Sequence, residues 1–109
     1  MNNNIEVRRN KIRSKVYVKE SLIHGHGLFA RENIKSEEII GHVKGKRTDV
    51  NGPYVLWVDD QIGIDVSCHL RFINHSDYPN ACYYDSLEVI ATRDIKKDEE
   101  ITHDYGAGL

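Results

Sequence analysis

RFINHSDYPNACYY, residues Arg71 to Tyr84, opens as an apolar strand would, with Arg71-Phe72-Ile73, and then stops behaving like one. Asn74, His75, Ser76 and Asp77 follow at once. A Pro79-Asn80 turn closes the polar stretch, and Ala81-Cys82-Tyr83-Tyr84 reads as strand again. Polar residues in this density ordinarily take a strand out into solvent and into a turn. An Asn-His pair at the tip of an apolar strand instead suggests backbone and amide groups aimed at something polar. The plainer alternative is a buried Asn-His network that satisfies itself.

The bulk numbers narrow the field. A chain of 109 residues suits one domain and buries a core without help from disulfides or metals. With 39% hydrophobic and 29% charged residues, it reads as soluble and globular rather than disordered. No apolar run approaches the ~20 residues of a membrane helix. The opening MNNNIEVRRNKIR lacks the apolar centre of a secretory signal. Cys68 and Cys82 are the only cysteines and show no paired spacing, so reduced thiols in an intracellular protein are expected.

A net charge of −2 argues against a polyanion-binding protein. The charge is uneven: Arg8, Arg9, Lys11, Arg13, Lys15 and Lys19 crowd the start, with Glu6 the one acid among them. Such an arm is able to touch nucleic acid, but a solvated strand face with a frayed end is the simpler reading. Residues 1–15 are read as a basic, partly flexible segment, and 16–109 as the folded domain.

Helical periodicity is weak throughout, and short runs rich in β-branched and aromatic residues dominate. KVYVKES alternates from Lys15. LIHGHGLFA breaks at Gly25 and Gly27 and then turns apolar. EEIIGHVKG is a short strand flanked by charge. Asn51-Gly52-Pro53 is a turn, followed by strands in YVLWVDD and IGIDVS. ACYYD and LEVIATRDI form a hairpin about Asp85-Ser86. A turn at Lys97-Asp98 leads into a last segment ending at Tyr105. A short helical turn fits Ser67 to Arg71, and nothing longer is supported. The fold class is mainly β, with short strands and small sheets.

Three segments carry chemistry. Gly25-His26-Gly27 allows close backbone approach or a positive φ, as any tight turn does. Asn74-His75 with Pro79-Asn80 is the second, and Asp104-Tyr105-Gly106 the third. Singly each is weak. Taken in order, HGHGLFA, IDVSCHLRFINHSDYPNA and DEEITHDYG resemble the SET domain of protein lysine methyltransferases, over roughly Val16 to Gly106.

The resemblance implies a β-clip-like SET fold in which the Asn-His strand threads under the C-terminal segment as a pseudoknot. It implies an enzyme that methylates lysine in protein or peptide substrates, histone tails or other basic segments, with S-adenosyl-L-methionine as cofactor. Gly25, His26, Gly27 and Leu28 would wrap the methionine part of that cofactor. Arg71, Asn74 and His75 would hold its amine and adenine. Tyr105 would be the catalytic tyrosine, and Phe72, Ile73, His103, Val43 and Tyr54 would line the substrate channel.

The sequence also departs from the family pattern. Asp77 stands where many nuclear members have a zinc-binding cysteine, and the chain ends at Leu109, so no zinc cluster is expected and the site is expected to be open. A second copy of the chain, as a homodimer, or the substrate would close it. His42-Val43 aligns where the family often has Glu-Tyr; Tyr54, Tyr83 or Tyr84 are the candidates to replace that hydroxyl. His103 occupies a position usually Tyr or Phe, and a charged imidazole there would repel a substrate amine. The segment from Lys46 to Asp65 is short, with Trp57 either a peptide platform or, more simply, a core residue. Asp59, Asp60, Asp65, Asp77 and Asp85 would attract a basic peptide or are ordinary turn residues. Two rivals remain: a degenerate SET module that binds without turnover, and a metal site among the six histidines, His24, His26, His42, His69, His75 and His103. The latter is weak, since only His24 and His26 are close in sequence.

Overall fold

The computed structural model describes residues 14–84 and 86–105. Arg8, Arg9, Lys11 and Arg13 of the expected basic arm, Asp85, and Gly106 to Leu109 lie outside the described residues. Among the described residues, the short β-rich runs become ten short strands in three small sheets. The first sheet holds β1 (Val16–Glu20), β2 (His26–Ala30), β10 (Glu100–His103) and β7 (Asn74–His75), in the order β1-β2-β10-β7. The second holds β3 (Ile39–His42), β9 (Glu88–Ala91) and β8 (Ala81–Tyr83). The third, built from the segment expected to be short, holds β4 (Gly45–Thr48), β6 (Gly63–Val66) and β5 (Val55–Trp57).

The alternation in KVYVKES predicts Val16 and Val18 on one buried face. Only Val16 is buried; Val18 is 37% exposed. β1 is an edge strand, and the core underlies only its first residue. By contrast β2 lies between β1 and β10, and Gly27, Leu28, Phe29 and Ala30 are all buried, which is why that run is continuously apolar. A further difference lies at Arg71-Phe72-Ile73. These residues are not a strand: His69–Phe72 form one 3-10 turn, the place of the expected helical turn, and β7 is only two residues long. Leu70 and Ile73 are three apart and both buried, a spacing that one 3-10 turn carries to the same side.

The last strand is inserted between early and middle segments. Glu100 and Ile101 pair antiparallel with Phe29 and Leu28, while Thr102 and His103 run parallel to Asn74 and His75. This interleaving is the C-terminal pseudoknot expected of the fold. Asn80 locks it. Its side chain is 1% exposed, its Oδ1 accepts the Thr102 N–H at 2.9 Å, and its Nδ2 donates to the Glu100 carbonyl at 2.8 Å. The Pro79-Asn80 turn therefore serves β10, through a buried amide that satisfies backbone groups of the strand. Leu28, Leu70, Val89, Ile95 and Ile101 form the centre of the core.

Candidate active site

A cleft of about 500 Å³ opens where the sheets meet, within the range of small-molecule sites. His24, Gly25 and His26 line it, as do Arg71 to His75. Tyr54, Val55 and Leu56, around the start of β5, line it too, so the short Lys46–Asp65 segment does reach the site. Tyr83 and Tyr105 are also part of the lining.

Gly25 has φ +45°, in the left-handed region, and a Cβ there would meet nothing within 4 Å. Its glycine serves the turn and leaves open space. Gly27 has a different reason. A Cβ on it would overlap the Glu100 carboxylate and come within 3.0 Å of Ser21 Cβ. Gly27→Ala is therefore expected to lower stability by about 1–3 kcal/mol, read from urea unfolding; an unchanged midpoint would show that Glu100 moves away freely.

Arg71 donates to the Ser67 carbonyl at 2.8 Å, and its guanidinium lies over the Phe72 ring at 4.6 Å and the Tyr54 ring at 5.5 Å. Asn74 gives its amide nitrogen to the carbonyls of His24 (3.0 Å) and His26 (3.1 Å) and to the Glu100 carboxylate (2.9 Å). His75 Nδ1 accepts the backbone N–H of Tyr105 at 3.2 Å, while Nε2 faces the Asp77 carboxylate at 3.0 Å. Asn and His are thus neither a self-contained pair nor free: each ties β7 to another segment.

Tyr105 donates its hydroxyl to the Ile73 carbonyl at 2.9 Å, and the Tyr83 hydroxyl stands 3.3 Å away. Burial pushes the Tyr105 phenol above its ordinary value, the Tyr83 contact opposing this in part. Burial, then the proximity of Tyr105, pushes Tyr83 up far more. Both are neutral phenols near neutral pH, so neither is a general base there. Of the three tyrosines considered as a replacement hydroxyl, Tyr83 is the one beside Tyr105; Tyr54 packs edge-on against Phe72, and Tyr84 is 45% exposed and outside the cleft lining.

Other expected residues fall elsewhere. Val43 is buried in the core, its N–H bonded to the Leu87 carbonyl, and does not line the cleft. Leu28, within β2, is fully buried in the core and does not line the cleft. Trp57 is half-buried, donates its indole N–H to Asn51, and is neither a core residue nor part of the cleft lining. Asp59 accepts the backbone N–H groups of Gln61 and Ile62, which hold its carboxyl below the usual range; it is a turn residue. Asp60, Asp65 and Asp77 do not line the cleft either. Among the described residues, no group of three or more His, Cys, Asp or Glu is placed to hold a metal ion. Sequence reading passed over Glu100 and Ser21, which meet only through the fold.

His103 lies behind Tyr105, 3% exposed, its ring edge-on to Tyr83 at 4.7 Å and to Tyr105 at 4.8 Å. Its Nδ1–H donates to the Ala81 carbonyl at 3.3 Å. Burial lowers its pKa from 6.5, opposed by the Ala81 carbonyl and by Asp104, with His75 adding a small lowering effect. The imidazole is therefore neutral at neutral pH. Because the folded state binds the proton less well than the unfolded chain, its contribution to stability is intact above pH 6.5 and is lost as pH falls below that value. His103→Phe is expected to reduce the slope of urea stability below pH 6.5, leaving the part due to His69, whose pKa burial also lowers. An unchanged slope would place the titration elsewhere.

Comparison with known proteins identifies the family. The family model described as the SET domain matches residues 25–106. A histone-lysine N-methyltransferase, H3 lysine-4 specific, from Aspergillus oryzae is 32% identical over 111 residues, covering 78% of this chain and 9% of the relative. Human histone-lysine N-methyltransferase 2B is 34% identical, covering 83% and 4% respectively. The crystal structure of a Plasmodium falciparum protein described as a histone methyltransferase superposes with a TM-score of 0.70 at 27% identity, covering 86% of this chain and 95% of that one. The fold is that of the SET domain. The chain belongs to the SET-domain family of protein lysine methyltransferases. It spans less than a tenth of the length of these two curated relatives.

Proposed function

We propose that this chain transfers a methyl group from S-adenosyl-L-methionine to a lysine of a basic protein segment, such as a histone tail. The observation that carries the reading is the meeting of Tyr105, Tyr83 and the Ile73 carbonyl in a cleft that Gly25, Arg71 and Asn74 also line. The residues fit such a cofactor: Gly25 leaves open space, Asn74 and Arg71 offer polar and cationic groups for an amino acid, and Phe72 and Tyr54 offer aromatic faces. When bound, that cofactor supplies a methyl on a sulfonium; the lysine N–C bond forms as the S–C bond breaks, and the electron pair stays on sulfur.

The protein's share is alignment and desolvation, worth about 7–11 kcal/mol where reacting atoms are held in line. A lysine entering beside Tyr83 and Tyr105 meets two neutral hydroxyls and the half-buried rings of the cleft. Desolvation and a neighbouring cation lower an amine's pKa, so the proton leaves to water without a general base. Tyr105 then orients the neutral amine by hydrogen bonding. The neutral state of His103 spares the site a second repelling cation. A histone or other basic protein substrate implies action inside a cell.

The test is to incubate purified protein with methyl-labelled S-adenosylmethionine and a panel of histones and basic peptides. Label on lysine is expected. Cofactor binding with no transfer to any substrate would favour a binding module instead.

A further inference from the structure

The three segments that signal the family are joined by one side chain outside the cleft lining. Glu100, at the start of β10, accepts the Ser21 hydroxyl with its two carboxylate oxygens at 2.8 and 2.9 Å. Ser21 Oγ in turn accepts the Ile23 N–H at 2.9 Å, and the Ser21 N–H donates to the Gly25 carbonyl at 2.8 Å, so the same link anchors the loop ahead of β2. Glu100 also accepts from Asn74 Nδ2, and the missing side chain of Gly27 makes room for it.

Chemistry sets the orientation of the Asn74 amide. Its three neighbours, the carbonyls of His24 and His26 and the Glu100 carboxylate, are all acceptors. An amide oxygen turned toward them would face three negative partners; the nitrogen must point there. The amide oxygen is then the polar end that these bonds leave over, on a residue that lines the cleft. Two of the three acceptors belong to the glycine loop, which Glu100 also holds through Ser21. Glu100 thus acts on the amide twice, directly and through the loop.

We infer that Glu100 is a positioning residue for the methyl donor: with Ser21 it holds the glycine loop and the Asn74 amide nitrogen so that the amide oxygen is left for the ammonium of an amino-acid ligand. This rests on the reading that the cleft takes S-adenosylmethionine. It concerns the amino-acid end of the ligand and not its adenosine, which gives a selective test.

Calorimetric binding of S-adenosylhomocysteine and of 5′-methylthioadenosine, which lacks the amino acid, is to be compared in wild type, Glu100→Gln and Glu100→Leu. Bonds to a carboxylate are stronger than those to a neutral amide, so Glu100→Leu is expected to weaken S-adenosylhomocysteine by about tenfold or more, with Glu100→Gln between it and wild type. Methylthioadenosine affinity is expected to stay within about twofold of wild type in both. In ¹⁵N spectra the Asn74 side-chain NH₂ signals are expected to shift in both variants. Melting curves accompany each protein, and should Glu100→Leu not fold, Glu100→Gln alone carries the comparison. Equal loss for both ligands, or loss for neither, overturns the positioning role while the cofactor reading stands. Wild type that binds neither ligand overturns the cofactor reading and this inference with it.

Discussion

Tyr105→Phe is expected to lower kcat by about 10²-fold or more while leaving the fold intact. The substitution keeps the ring that packs edge-on to His103 and removes only the hydroxyl that bridges the Ile73 carbonyl and Tyr83. In stability that is the loss of a hydrogen bond at 2.9 Å and a longer one at 3.3 Å, together about 1–2 kcal/mol. In the proposed chemistry it removes the group that would aim the amine lone pair. Burial keeps this phenol neutral, so its effect comes through direction and not proton abstraction, and the rate of the remaining activity should rise with pH as more lysine amine is free. The measurement is label transfer at saturating donor with melting curves alongside. A rate within a few-fold of wild type would remove Tyr105 from the proposed site.

The second large effect is on folding. Asn80→Ala is expected to cost about 3–5 kcal/mol, because it strands the Thr102 N–H and the Glu100 carbonyl inside the protein while removing an amide that is 1% exposed. A domain of this size has only about 5–15 kcal/mol in total. The midpoint of urea unfolding reads it directly. A loss below about 1 kcal/mol would mean that water replaces the amide and that β10 is held by its strand pairings alone.

Much of the fold was legible because its elements are local. The runs that became β2, β3, β5, β6, β8, β9 and β10 carry their apolar or β-branched residues in sequence, and the turns at Asn51-Gly52-Pro53 and Lys97-Asp98 carry their own chemistry. Asp98 takes φ +70°, which a short polar side chain tolerates. The Arg71-Phe72-Ile73 reading failed because three apolar-flanked residues suit a strand or a 3-10 turn equally; the burial of both Leu70 and Ile73 selects the turn. Val43 was placed in the channel by alignment alone, and no local feature distinguishes a channel valine from a core one.

The order of the glycine loop, the Asn-His pair and the final tyrosine was enough to name the family, since those residue types at those places are rare together. Which side chains meet was not in that order. Tyr83 rather than Tyr84 reaches Tyr105 across 22 positions because Tyr83 lies on the buried side of β8 with Ala81, while Tyr84 follows the end of that strand and is exposed. Asn74 finds Glu100 26 positions away, and Ser21 finds it 79 positions away, because β10 inserts between β2 and β7. A contact of that kind depends on the register of strands distant in the chain, and one residue of slip would turn every partner to the other face.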